Sequence, residues 1–341
     1  MSAPSPTPAA GRKADHLRIA ARDDALHRGS AGFDHLRLRH RALPGRDLTA
    51  VELRTDLLGH QLEAPLIVSA MTGGTDDAAV INARLARAAA RHGIGLVLGS
   101  GRPLLDDPTL LRTYVGSDRP PLLLANLGAP QLATPNGVDD AERLVDLLGA
   151  DALSIHLNPL QEAVQPEGEP WFARTLDRIA EAVQRLAPLP VTVKEVGFGL
   201  HERDVRDLID AGVAGVDVAG AGGTNWALVE GQRDARSQAV AQAFADWGTP
   251  TVEATLGAVK SADGRAAVIA SGGVTDGVQA AMSLALGATA AGLARTLLLA
   301  AQADRVDETI DVLIRQLRIA TWLTGSASSA ELHIDHIEVR A

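Results

Sequence analysis

Short apolar runs recur along the chain from residue 64 onward, most of them ending in glycine, asparagine or another polar residue. They are APLIVSAM (64–71), GIGLVLGS (93–100), PPLLLANLG (120–128), ADALSIHLN (150–158), LPVTVKEVGF (189–198), GVAGVDVAGAGG (212–223), AAVIASGG (266–273) and ATAAGLAR (288–295), eight in all. Between them lie stretches in which apolar residues return every three or four positions, such as DAAVINARLARAAARH, WFARTLDRIAEAVQRLA, HERDVRDLIDAG and DGVQAAMSLALGA. Runs of strand length alternating with helix-period segments predict strand, helix, strand, repeated eight times. Such a repeat builds a parallel sheet with helices outside it, and eight units close into a (β/α)8 TIM barrel. An open doubly wound sheet is the alternative, but it usually has fewer strands and a nucleotide-type turn after the first. A last helical stretch, VDETIDVLIRQLRIATWLTG, follows the eighth run.

The chain therefore divides into three parts. Residues 1–10, rich in Ala, Pro and Ser, are expected to be disordered. Residues 11–63 are an N-terminal extension that closes the bottom of the barrel or covers its mouth. Residues 64–341 are the barrel and its C-terminal helix.

Strand alternation gives the fourth run a geometry. Leu153, Ile155 and Leu157 share the face towards the helices, while Ser154, His156 and Asn158 share the face towards the barrel axis. Pro159 ends the strand, so the polar residues of HLNPLQE (156–162) are expected at the C-terminal mouth, where barrel active sites are built.

Composition narrows the chemistry. Aromatic residues are only 3% of the chain, so Ala, Leu and Val must fill the core. Cysteine is absent, which excludes disulfides, thiolate metal sites and cysteine nucleophiles. A net charge of −10 argues against nucleic-acid binding and against docking on anionic lipid. Residues 1–60 run against that balance, with ten Lys/Arg, seven Asp/Glu and half of the ten histidines: His16, His27, His35, His40 and His60. This segment is either a solvated arm or a cap that brings positive charge to an anionic ligand. No run is long enough for a membrane span and no apolar signal segment opens the chain, so a cytoplasmic protein is expected.

The seventh and eighth runs end in SGGV (271–274) and GLAR (292–295). Glycine there lets backbone N–H groups approach an anion, and these two loops are the usual phosphate site of such barrels. In the fifth run alternation points Thr192 and Lys194 inward. A lumen lysine needs negative charge or an acceptor-rich ligand, so Lys194 is a candidate cofactor contact; a salt bridge to Asp217 or Glu162 is the alternative. Asn126, Thr72, Ser100 and Thr224 are polar tips predicted to converge on the same mouth.

APLIVSAMTGGT, GSGR, ANLGA, IHLNPLQE, VKEVGFG, AGAGGTNW and ASGGV together resemble the type 2, FMN-dependent isopentenyl diphosphate isomerases, from RKADHL to the eighth run. The resemblance implies FMN held by Ala70, Met71, Thr72, Ser100, Asn126, Lys194, Thr224, Gly272, Gly273, Ala294 and Arg295. It implies a prenyl diphosphate held by Arg12, Lys13, Ser100, Gly101, Arg102, Asn158 and Gln161, with Glu162 on Mg²⁺. The implied reaction interconverts isopentenyl and dimethylallyl diphosphate, with reduced FMN as acid/base, NADPH serving only to reduce the flavin, and Gln161 and His156 as catalytic candidates. A homo-oligomer, tetramer or larger, is also implied. Three positions depart from the family pattern: Gly101, where a longer side chain is usual, His201, where Ser is common, and Thr275, where a basic residue is frequent.

Other readings are an FMN-dependent oxidoreductase of the α-hydroxy-acid oxidase type, an isomerase homologue acting on a different prenyl diphosphate, and a flavin-binding protein without turnover. The first expects His and then Gly-Gly-Arg after the sixth strand, where this chain has AGAGGTNW. The last has no need of Arg12, Lys13, His156, Gln161 and Glu162.

Overall fold

The computed structural model describes residues 8–340. Its strands are β1 (Leu36–Leu38), β2 (Thr55–Leu57), β3 (His60–Leu62), β4 (Leu66–Val68), β5 (Gly95–Val97), β6 (Leu123–Gly128), β7 (Ala152–His156), β8 (Val191–Lys194), β9 (Gly215–Asp217), β10 (Ala267–Ala270), β11 (Ala290–Leu293) and β12 (Ile337–Val339). Strands β4 to β11 pair in parallel with their sequence neighbours, and β11 returns to β4 with Ala291 opposite Leu66, closing an eight-stranded barrel. Each of the eight apolar runs supplies one of these strands, so the closed (β/α)8 barrel holds over the open sheet.

Helices lie between the strands where apolar periodicity predicts them. The first after β4, Asp76–His92, is capped by Thr75, whose side chain accepts from Ala78 N, and ends at Gly93 with φ 64°. Its buried residues Ala78, Ile81, Leu85, Ala88 and Ala89 form one stripe against the barrel. Leu66, Val68, Leu153, Ile155, Val191 and Val193 meet such stripes in the main core, as alternation requires.

The N-terminal extension runs past both ends of the barrel. Leu58 (φ 55°) and Gly59 (φ 83°) make the two-residue turn between β2 and β3. That hairpin drives Leu57 and Leu62 into the lower end of the barrel against Ile67, Val97, Leu122, Leu124, Ala152, Ile269 and Ala290. Upstream, helix α1 (Pro8–Ala20) lies over the mouth. The expected disorder of residues 1–10 is therefore corrected from Pro8 onward, while residues 1–7 lie outside the described residues. Tertiary burial makes the difference: Ile19 and Ala20 pack with Ala25, Val229 and Trp226, which anchors a short helix that would be marginal alone.

Residues 25–31 run along the loop after β9. His27 N donates to Gly223 O at 2.9 Å, and Asn225 N donates to Ala25 O at 2.8 Å. A Cβ on Gly222, whose φ is 127°, would stand 2.3 Å from Ala31 N, so only glycine permits this approach. Pairing of β1 with β12 ties the far end of the chain to the same extension.

Candidate functional site

A cavity of about 420 Å³ opens at the C-terminal end of the barrel, beneath α1. Its wall includes Arg12, Lys13, Ala70, Met71, Ser100, Arg102, Asn126, His156, Asn158, Gln161, Glu162, Lys194, Thr224, Gly272, Gly273, Ala294 and Arg295. These positions come from α1 and from the ends of the barrel strands, and folding brings them to one place.

Two candidates are not on that wall. The Thr72 side chain is buried behind it with Oγ1 unpaired, and the Thr72 carbonyl is held by Asn82 Nδ2 at 3.1 Å. The Gly101 N–H is taken by the Asn126 carbonyl at 2.7 Å, and a Cβ there would stand 2.4 Å from Leu144 Cδ1, facing the core. Both residues lie in the turns that follow β4 and β5, beyond the strands themselves. His201 is also remote, capping helix Glu202–Asp210 through its acceptance from Arg203 N. Only Thr275, of the three departures from the family pattern, reaches the cavity.

Several wall residues escape a strand-by-strand reading: His16, Leu17, Ser69, Gln131, Gln165, Trp226 and Ser271. His16 had a readable signal, since it stands one helical turn after Arg12 and so shares its face. Gln131 and Gln165 had none.

The lumen end is glycine-rich and polar. Gly272 (φ 103°) and Gly273 (φ 70°) form the loop after β10, and a Cβ on Gly272 would stand 2.1 Å from Gly220 O. Lys194 Nζ donates to the backbone carbonyl of Glu195 and does not pair with Asp217 or Glu162. Asp217 instead accepts from Ser271 Oγ at 2.5 Å, and burial raises its pKa. His156 Nδ1 meets Asn126 Oδ1 at 2.9 Å, which assigns the proton to Nδ1. Burial, with Lys194 and Lys13 nearby, lowers the His156 pKa to about 3, so its imidazole is neutral at pH 7.

The outer end is charged. Burial and then Arg12 lower the Lys13 pKa to about 8. Glu162 is buried, with Oε1 accepting from Asn158 Nδ2 at 2.8 Å and Oε2 from the Glu169 N–H at 2.7 Å. Beneath it, fully buried Glu230 receives Gln161 Nε2 at 2.7 Å and Arg233 Nη1 at 2.5 Å, with His16 Nε2 2.8 Å away. Burial pushes the Glu230 pKa up, but the contacts to His16, Gln161 and Arg233 outweigh it and hold the carboxyl at about 2. Gln161 is thus fixed by a carboxylate that stays ionised.

Arg295 joins the two ends, with Nη2 donating to Ala21 O at 2.9 Å and Asp23 Oδ1 at 2.7 Å. It fastens the chain after α1 to the barrel mouth.

The wall can take a flavin mononucleotide. Glycine loops at the phosphate position, Lys194 in the lumen, and the buried, unpartnered Ser69 Oγ and Arg295 Nε match a ring and a phosphate rich in acceptors. A magnesium ion is accommodated differently. Among the described residues no three His, Cys, Asp or Glu side chains form a closed metal site. A cation at Glu162 would take its remaining ligands from phosphate oxygens and water, which is the habit of Mg²⁺.

Barrel and cavity together define a flavoenzyme of the α/β-barrel class. The description "FMN-dependent dehydrogenase" matches residues 12–103 and 138–339. The barrel superimposes on the flavin-binding domain of baker's yeast flavocytochrome b2 with a TM-score of 0.69 at 18% identity, covering 96% of this chain and 82% of that one. A mandelate oxidase gives 0.68 at 20% identity, covering 97% and 96%. Those likenesses concern the fold. Sequence relatives are nearer: the isopentenyl-diphosphate delta-isomerase of Stutzerimonas stutzeri is 47% identical over 329 residues, covering 94% of each chain. That of Xanthobacter autotrophicus is 49% identical over 325 residues, covering 93% of this chain and 94% of its own. The chain belongs to the type 2, FMN-dependent isopentenyl-diphosphate delta-isomerase family.

Proposed function

We propose that this protein interconverts isopentenyl and dimethylallyl diphosphate, with FMN in the lumen and a Mg²⁺-bound diphosphate at the mouth. The observation that carries the reading is one cavity with glycine loops and Lys194 at its inner end and Arg12, Lys13, Arg102, Gln161 and Glu162 at its outer end. The isomerase relatives support it. An oxidoreductase of the α-hydroxy-acid oxidase type draws support from the fold neighbours and from the FMN-dependent dehydrogenase match, but the loop after β9 lacks the His-Gly-Gly-Arg series that type expects.

The reaction adds a proton to the terminal alkene carbon and removes one from C2, with no net redox change. Reduced FMN, when bound, would supply acid/base chemistry beside the alkene, with NADPH needed only to bring it to the reduced state. The protein's share is binding and orientation. Gly272 and Gly273 offer backbone N–H groups to the flavin phosphate, and Lys194 offers positive charge to the ring. Arg12, Lys13 and Arg102 would neutralise the diphosphate, and Glu162 would hold a Mg²⁺ whose charge offsets that of the diphosphate. Gln161, anchored on Glu230, presents its amide at the junction of the two ends. Neutral His156, with its proton on Nδ1, offers Nε2 as an acceptor for substrate or for a moving proton. Leu17 and Trp226 line the same space and exclude water from the alkene. The reading carries with it a cytoplasmic homo-oligomer of four or more copies; no helix among the described residues is long and apolar enough to cross a membrane.

The test is direct. Purified protein should take up FMN, turn yellow, and isomerise both diphosphates with NADPH and Mg²⁺. Glu162→Gln should keep the flavin and lose roughly 100-fold in Mg²⁺-dependent kcat/KM, the scale of one charge-assisted contact of about 2–3 kcal/mol. Protein that takes up no FMN refutes the flavin site. Yellow protein inactive on both diphosphates redirects the reading to another prenyl diphosphate.

A further inference from the structure

The segment Glu167-Gly168-Glu169, between the helix Pro159–Val164 and Thr175–Leu186, has no assigned role, yet it touches both halves of the outer site. Glu169 binds the Arg102 guanidinium end-on, through Nη1 at 2.9 Å and Nη2 at 3.2 Å. Its Oε2 also accepts from Gln131 Nε2 at 3.0 Å, and its backbone N–H donates to Glu162 Oε2 at 2.7 Å. Arg102, Gln131 and Glu162 lie on the cavity wall, whereas Glu169 stands behind them. The close approach depends on its neighbour: a Cβ on Gly168 would stand 1.9 Å from the Glu162 carbonyl oxygen.

We infer that Glu169 is a positioning residue, which sets the arginine on one side of the diphosphate and the magnesium-binding carboxylate on the other. This rests on the diphosphate reading of the mouth. The physical logic is pre-organisation. Arginine's planar fork keeps its Nε edge free when its end is held by a carboxylate, so Arg102 can serve Glu169 and a phosphate at once. Left unheld, a half-exposed arginine samples many rotamers and must lose that freedom on each binding event. The Glu169 N–H likewise leaves Glu162 one rotamer, with its Oε1 on Asn158. Because Glu169 stands outside the cavity wall and its charge is matched by Arg102, it supports the anion from behind instead of competing for the same space.

The experiment measures binding of inorganic pyrophosphate with Mg²⁺ to the FMN-loaded protein by calorimetry, alongside steady-state kinetics. Glu169→Gln should raise the pyrophosphate Kd about tenfold and raise KM with kcat little changed, the pattern of lost ground-state binding. Flavin absorbance and thermal midpoint should stay as in wild type. Glu169→Asp, which keeps the charge, should recover part of the loss. Gly168→Ala, acting on the backbone contact instead, should shift the Mg²⁺ requirement upward. An unchanged Kd in Glu169→Gln overturns the inference, and a tighter one overturns it in the opposite sense, making Glu169 a competitor of the anion. Wild-type protein that binds FMN but no pyrophosphate overturns the parent reading and this inference together.

Discussion

The two ends of the barrel are made from the same eight strands, and they differ in what the inward positions carry. At the lower end Ile67, Val97, Leu124, Ala152, Ile269 and Ala290 point inward and meet Leu57 and Leu62 of the hairpin. At the upper end the inward positions are Asn126, His156 and Lys194, and glycine takes over in the loops beyond. The lower end buries hydrocarbon and gains stability from it. The upper end keeps buried polar groups whose charged forms are disfavoured, such as His156, and leaves acceptors and donors open towards the cavity. Stability and function are thus separated along single strands, as between Leu124 and Asn126 on β6 or Ala152 and His156 on β7.

That separation can be broken from either end. Lys194→Met should cut isomerase activity roughly 10²–10³-fold by removing a preorganised charge from the lumen. The urea midpoint of its flavin-stripped protein should hold or rise, because a buried charge is replaced by hydrocarbon of similar length. A large loss of stability there would mean that the upper end is structural too. Leu57→Ala at the lower end should do the reverse. It should cost about 2–5 kcal/mol in urea unfolding while kcat, measured well below the transition, stays within twofold of wild type.

The smallest expected effect concerns pH. Lys13 is held at about 8, below its ordinary 10.5, by burial and Arg12, so it is an ammonium below that pH and neutral above it. A bound diphosphate favours the charged form and draws the pKa back up. Binding should therefore take up a proton between about 8 and 10.5, and pyrophosphate affinity should fall as pH rises through that window, by at most about tenfold per pH unit. Calorimetry in buffers of different ionisation heat reads the proton directly, and Lys13→Met should abolish the uptake.

Much of this was legible in one dimension. All eight strands, the inward face of HLNPLQE and the lumen position of Lys194 follow from alternation, a local property of the chain. The resemblance extended that reading to Arg12 and Lys13, far upstream of the barrel. Direction is least legible at turns. Thr72 and Gly101 sit just beyond strand ends, where period two no longer decides direction, and the structure turns both away from the cavity. Pro8–Ala20 looked in part like a disordered tail because its own residues cannot stabilise a helix, and the surface that does so comes from Trp226 and Val229.

The amino-acid sequence by itself determined the barrel and its polar mouth, because strand and helix periods are written in neighbouring positions. Tertiary structure alone decided how the residues of that mouth are held. Gln161 rests on Glu230, 69 positions away, Arg102 rests on Glu169, 67 positions away, and Arg295 reaches Asp23 across 272. No local pattern encodes such pairs, since each depends on where separate strands deliver their ends once the barrel has closed.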